Sequence, residues 1–203
     1  MATGAGPGVD SNAFWLKVLS HMPNGVKGEL ADIMVRAEPL RAKAKYNTGS
    51  INYTTALALR CLCQWFTPRT AIEVGTFIGV STRALQARDI YTCDASNDCL
   101  SPGPGLTVHP YTTSTEMFNR LLTQGVLANI FFFDGRLGTG DVPLVIALSA
   151  PGCVYVFDDY NEEHKGVKNV QALRPALPNH VLFPAAGPVS DTTLAALVPA
   201  DLL

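Results

Sequence analysis

Five acidic side chains stand where apolar runs end. Glu73 lies in "TAIEVG", Asp94 in "DIYTCDA", Asp134 in "NIFFFDG", and Asp158 with Asp159 in "CVYVFDDY". Only 16% of the residues are charged, well below the usual quarter, so the regular placement carries information. Singly, these acids have ordinary explanations. Asp134 can be a turn acid before Gly135, and Asp158-Asp159 can be a helix N-cap with a first-turn acid. Together they fall at the carboxyl ends of strands, which is where open α/β sheets bind ligands.

The stretch "IEVGTFIGVST" adds a bent glycine loop to the first of these ends. Its spacing is G-x-x-x-G. Phe77 stands where a dinucleotide fingerprint needs a glycine for close pyrophosphate approach, and no G-x-x-x-x-G-K-[ST] occurs. The loop therefore suits a nucleoside ligand without a pyrophosphate. Asp94, at the end of the next strand, can accept both hydroxyls of a ribose, because two hydroxyls match two carboxylate oxygens. The third strand end runs into the hydroxyl run Thr112, Thr113, Ser114 and Thr115.

The elements that must position these residues follow from periodicity. Three helical patterns come first: "NAFWLKVLSHM", "KGELADIMVRAEPLRAKAK", which ends near Pro39 or resumes after it, and "TGSINYTTALALRCLCQWF". From residue 68 onward, buried-type strands alternate with helices. "VSTRALQAR", "STEMFNRLLTQG", "DVPLVIALSAPG" and "EEHKGVKNVQALRPAL" read as helices, the third ending at Pro151-Gly152. The alternation predicts an α/β fold, a Rossmann-like doubly wound, mostly parallel sheet of up to seven strands with helices on both faces. We expect a single domain over 1–203, with 1–12 mobile, 13–67 forming N-terminal helices and 68–203 forming the α/β core. "HVLFPAA" supplies one late strand, and the tail "DTTLAALVPADLL" is ambiguous between helix and strand.

Composition narrows the partners. Net charge is −2 and the pI about 6.0, without the basic face that a nucleic acid needs. The longest apolar stretch, Val142 to Phe157, is interrupted by Ser149, Pro151 and Gly152, so no membrane span is expected. No secretory leader is visible in "MATGAGPGVD". The five cysteines at 61, 63, 93, 99 and 153 contain no C-x-x-C and read as free thiols of a reducing compartment. The expectation is a cytoplasmic protein with a small-molecule substrate, with room for a homodimer and with no nucleic-acid or membrane partner.

The loop and the ordered acids resemble a known family. "IEVGTFIGVST" is similar to motif I of class I S-adenosylmethionine-dependent methyltransferases, closest to the catechol and caffeoyl-CoA O-methyltransferases. "TGSINYTTALALRCL" resembles the segment before motif I in that group, and "VYVFDDYNEEHKGVKNV" resembles the fifth-strand region of macrocin-type O-methyltransferases. The resemblance spans roughly residues 45–175. It implies a Rossmann-like fold, S-adenosylmethionine as cofactor and O-methylation of a small phenolic or sugar-like molecule. Glu73, Gly75, Phe77, Gly79 and Ser81 match the loop around the methionine moiety, with Ser50 and Ile51 closing over it. Asp94 matches the ribose acid, and Ser114 and Thr115 fall where adenine is contacted. Asp134 belongs both to the cofactor wall and, with Asp158 and Asp159, to the implied metal ligands. Three carboxylates from adjacent strand ends suit Mg²⁺, a hard cation that keeps open positions for substrate oxygens and acidifies a bound hydroxyl.

The pattern departs from that family at the base. Leu137 stands where the catechol-type enzymes have a lysine, and Arg136 where macrocin-type enzymes have an aspartate. Arg136 cannot act as a base; it can bind an anionic substrate or pair with Asp134 or Asp159. His164 is the nearest substitute base, Lys165 a weaker one, and His109 stands at another strand end. Three readings stay open: another residue serves, the substrate ionises on the metal alone, or activity has been lost. A non-catalytic S-adenosylmethionine or nucleoside binder is the main alternative, and an NAD-dependent oxidoreductase a weaker one.

Overall fold

Strands that are apolar on both sides need cover on both faces. The computed structural model describes residues 10–44, 50–96, 105–110, 112–161 and 163–203. The expected mobile start up to residue 9, Cys99, and most of the proline-bearing loop after the second strand fall outside the described residues. Seven strands form one sheet: β1 (Thr70–Val74), β2 (Asp89–Cys93), β3 (Leu106–His109), β4 (Ala128–Phe133), β5 (Ser149–Phe157), β6 (His180–Pro184) and β7 (Ala195–Pro199). Their order is β3-β2-β1-β4-β5-β7-β6. The first five run parallel, and β7 lies antiparallel to both β5 and β6. This is the expected Rossmann-like sheet. The order reverses between β1 and β4, which places the ligand crevice beyond those two strands.

The helices are α1 (Ser11–Ser20), α2 (Val26–Lys43), α3 (Tyr53–Phe66), α4 (Val80–Ala84), α5 (Ser114–Thr123), α6 (Asp141–Ala147) and α7 (Gly166–Leu173). Strand alternation divides the core into two layers. Ala71, Ile130, Phe132, Val154 and Val156 pack with Trp15, Leu30, Leu59 and Leu62 of the N-terminal helices. Ile72, Phe131, Phe133, Tyr155 and Phe157 pack with Phe118, Leu121 and Val170 on the other side. On that second face Phe131 stacks on Tyr155 and Phe133 on Phe157, with centroids 5.6 and 5.3 Å apart. The N-terminal helices are tied to the sheet by specific contacts. Trp15 Nε1 donates to Pro184 O at 2.9 Å, and Phe14 stacks on Phe183. Buried Arg60 donates to the carbonyls of Ala84 and Arg83 and forms a two-bond fork with Glu29, joining α2, α3 and α4.

Several boundaries differ from the sequence reading. The tail does supply a strand, β7, which completes the sheet from between β5 and β6. Helix α2 continues through Pro39, which costs it one backbone donor without ending it. Helix α4 stops at Ala84 and does not extend to Arg88. Helix α6 ends at Ala147, and Pro151 and Gly152 belong to β5. There Ala128 pairs with Ser149 and Ile130 with Val154, so the irregular register absorbs both breakers. Cys61, Cys63, Cys93 and Cys153 are free and buried, and burial pushes each thiol above its ordinary range. Among the described residues no helix is long and apolar enough to cross a membrane.

Candidate active site

The alternation of β1 turns Glu73 away from Ile72 and Val74, to the face covered by α3 and α4. Its side chain is fully buried. Oε2 accepts from Thr82 Oγ1 at 2.5 Å and from Thr92 Oγ1 at 2.7 Å. Thr92 stands directly opposite Glu73 in the β1–β2 register, and its hydroxyl also meets that of Thr76. Burial pushes the Glu73 carboxyl up to about 7, against the pull of the Ser81, Thr82 and Thr92 hydroxyls. Oε1 has no hydrogen-bond partner among the described residues. Glu73, Gly79 and Ser81, all expected at the cofactor, are not among the residues lining the cavity.

The cavity itself, about 1140 Å³, opens at the carboxyl ends of β1, β2, β4 and β5. Ser50, Ile51, Gly75 and Phe77 are on its wall, as are Asp94, Ser114, Thr115 and Asp134. Gly75 has φ +101°, and a Cβ there would sit 2.9 Å from Gly135 N and 3.0 Å from the Asp134 carbonyl carbon. Only glycine lets the loops after β1 and β4 press together at this point. Phe77 N donates to Asp94 Oδ2 at 2.7 Å, while Ser96 N and Oγ both donate to Oδ1 at 2.8 Å. Three of about four acceptor positions on Asp94 are thus taken. Among the described residues one position on Oδ2 is then open to a ligand. Ser114 and Thr115 reach the wall, but their hydroxyls are committed to Asp141 at 2.5 and 2.6 Å. Asp141, fully buried, also accepts from Gly138 N at 2.6 Å. It anchors α5 and α6 together, a role the sequence reading missed although its place just after "GTG" marks a helix start.

The rim after β4 and β5 differs from expectation. Asp134, Asp158 and Asp159 all stand on the wall, and so does Lys165. Lys165 Nζ donates to Asp134 Oδ1 at 2.6 Å and to Asp159 Oδ2. Asp158 Oδ1 accepts from Thr193 Oγ1 at 2.8 Å, and Thr193 Oγ1 accepts from Asp159 N at 3.2 Å. Burial opposes the charge on Lys165, but Asp134 and Asp159 outweigh it and hold the ammonium above its ordinary value. Burial likewise pushes Asp134 up, and the ammonium pulls it back. Burial also raises Asp158, against the hydrogen bond from Thr193. As arranged, the three acids do not fit a divalent metal: a lysine ammonium is bonded to two of them and a hydroxyl to the third. Among the described residues no three acidic, histidine or cysteine side chains converge as a ligand set.

Arg136 is exposed on the wall, and its Nε donates to the His164 carbonyl at 3.4 Å. The described ion pairs of Asp134 and Asp159 are both with Lys165, so Arg136 is left to face the cavity. Leu137 beside it is held by Asn169, which accepts from Leu137 N at 3.1 Å and donates to Gly135 O at 2.9 Å. The His164 side chain is exposed and off the wall, and His109 is off it too. The structure thus brings Lys165 to the site in place of the histidine next to it. Asn169 and Thr193 carried no signal in the sequence, because both act on residues distant in the chain.

No protein-family model matches the chain, and no curated protein matches its sequence. Solved structures do. The O-methyltransferase TomG of Streptomyces achromogenes, involved in tomaymycin synthesis and solved with S-adenosylmethionine, is similar over 94% of this chain and 100% of its own, at 16% identity and TM-score 0.58. An O-methyltransferase of Bacillus cereus in complex with S-adenosylhomocysteine covers 92% of this chain and 96% of its own, at 19% identity and TM-score 0.57. A methyltransferase of Podospora anserina bound to S-adenosylhomocysteine covers 82% and 87%, at 15% identity and TM-score 0.54. The chain shares their fold over 82% to 94% of its length.

Proposed function

We propose that the protein is an S-adenosylmethionine-dependent methyltransferase acting on an oxygen of a small hydroxylated molecule, phenolic or sugar-like. The observation that carries this reading is the bond from Phe77 N to Asp94 Oδ2 on the wall of a large cavity at the sheet's switch point. It couples the glycine loop to the strand-end acid, so one ligand meets both. The fit to a nucleoside cofactor is favourable. Gly75 keeps the wall free of a side chain, Asp94 offers one acceptor for a ribose hydroxyl, and Ser50 and Ile51 stand beside the loop. The fold neighbours named above, two of them O-methyltransferases, support it.

When bound, S-adenosylmethionine supplies a methyl group on a sulfonium. The protein's own part is to hold and to exclude. The β1 loop and Asp94 fix the nucleoside, and the rim of Asp134, Asp158, Asp159 and Lys165 meets the acceptor. Leu137 makes one side of the acceptor half apolar, and Arg136 makes the entrance cationic. The metal-assisted form expected from the sequence does not fit this rim, because Lys165 is bonded to two of the three acids.

Titration with isotopically labelled S-adenosylmethionine tests the reading. We expect binding, weakened roughly 10- to 100-fold by Asp94→Ala, which removes a charge-assisted acceptor. No binding to the wild type would overturn it. A second reading, a binder without turnover, is favoured by the absence of His164 from the wall. A panel of catechols, sugars and phenolic acids separates the two, since any methylated product eliminates the second.

A further inference from the structure

We propose that Lys165 is the built-in cation of the acidic rim, holding the space between Asp134 and Asp159 against divalent metals and presenting an N–H donor to the acceptor substrate. The inference takes its location from the methyltransferase reading, but its test does not depend on that reading.

The placement of Lys165 is constructed by its neighbours. Gly166, the first residue of α7, lies so close to the end of β5 that a Cβ would meet Asp158 O at 2.3 Å and the Asp159 carbonyl at 2.6 Å. Backbone cannot yield to such an approach, so only glycine lets α7 begin against the two aspartates. Lys165 directly precedes it and is thereby delivered to the acids. Asp159 meets it from a left-handed backbone, φ +51°, a conformation that an aspartate tolerates better than most residues. The lysine and both its partners are largely shielded, with side-chain exposures of 19%, 15% and 27% for Lys165, Asp134 and Asp159. Shielding makes the ion pairs stronger than surface pairs and less open to exchange with solvent ions.

Donor counting gives the consequence for the substrate. An ammonium has three N–H donors in tetrahedral array. Asp134 and Asp159 take two, and Lys165 stands on the cavity wall. The third donor suits an acceptor oxygen. A divalent ion reaching the same acids must displace the ammonium or lie beside it, and like charges at that distance repel. The site therefore selects a substrate held by one hydrogen bond to a hydroxyl or phenol oxygen, rather than by chelation through two adjacent oxygens.

Mn²⁺ titration followed by electron paramagnetic resonance tests this directly, with no cofactor present. The wild type should bind Mn²⁺ no more tightly than about 1 mM, the range of weak carboxylate sites. Lys165→Ala exposes two facing carboxylates, enough for a hydrated ion, and should tighten Mn²⁺ binding by roughly tenfold or more. Adding Asp134→Asn should abolish that gain, and Lys165→Arg should not show it. Wild-type binding as tight as that of folded Lys165→Ala overturns the proposal, as does a folded Lys165→Ala that gains nothing. If Lys165→Ala does not fold, the wild type decides: micromolar Mn²⁺ binding lost in Asp134→Asn overturns the proposal, and none supports it. Failure of the methyltransferase reading would show instead as loss of S-adenosylmethionine binding with the Mn²⁺ result unchanged.

Discussion

The two sides of the switch point hold acidic side chains by different means. Below the β1 loop, Glu73 is met among the described residues by hydroxyls, those of Thr82 and Thr92 within hydrogen-bond distance. Across the crevice, Asp134 and Asp159 are met by an ammonium. The difference follows from access. Glu73 has no exposure at all and touches no ligand space. Hydroxyls can serve a carboxyl in either protonation state, since each is both donor and acceptor. The rim faces the cavity, where two carboxyl groups in proximity are drawn together by a positive charge placed between them. One acid organises the loop; the others organise what enters.

The strongest way to break the comparison is to remove the residue on which both sides rest. Gly75→Ala puts a Cβ against Gly135 N and strains a left-handed backbone. We expect a loss of about 3–4 kcal/mol in urea unfolding, with ligand binding lost in the same variant.

Next in size is the pH response of the buried side. Glu73 ionises near 4.5 in an unfolded chain and at about 7 here. Its contribution to stability is therefore complete below about 4.5, declines as pH rises through the interval, and is absent above about 7. Glu73→Gln should remove on the order of 2 kcal/mol of that decline, read as the difference between urea unfolding free energies at pH 5 and pH 8 for the two proteins. Equal slopes in both would show that Glu73 is already ionised in its hydroxyl nest.

On the rim the test is to remove the cation. Lys165→Met leaves Asp134 and Asp159 without a cation, at a cost of about 1–2 kcal/mol at pH 8, less than for a fully buried pair because the rim is partly solvated. The cost should shrink at pH 5, where Asp134, pushed up by burial, holds a proton. Smallest is Thr193→Val, which deprives Asp158 and Asp159 N of one shared hydroxyl and should cost about 1 kcal/mol in thermal unfolding.

This contrast also explains what could be read from the sequence. The acids, the glycine loop and the alternation of elements are local or periodic signals, and they located both the sheet and the crevice. What each acid touches is set by residues far away in the chain. Glu73 was expected in the loop around the methionine moiety, because nothing in "IEVGTFIGVST" shows which way β1 turns it relative to α4. The three aspartates suggested a metal, because a lysine six residues past Asp159 reaches back only if Gly166 lets α7 start against the strand. Asp141 and Thr193 escaped for the same reason: each completes a bond begun elsewhere. Likewise the strand hidden in "DTTLAALVPADLL" is legible only once β5 and β6 stand apart with room for it.

That last strand has a bearing on the order of events during synthesis. β7 is inserted between β5 and β6, which have no other pairing with one another in the sheet. In a nascent chain ending before residue 193, β1 to β5 already have all their parallel partners in sequence. Such a chain cannot yet set Asp158, whose hydroxyl partner arrives with Thr193, and β5 presents an open edge. The setting of Asp158 on the rim therefore depends on the strand that enters last in chain order.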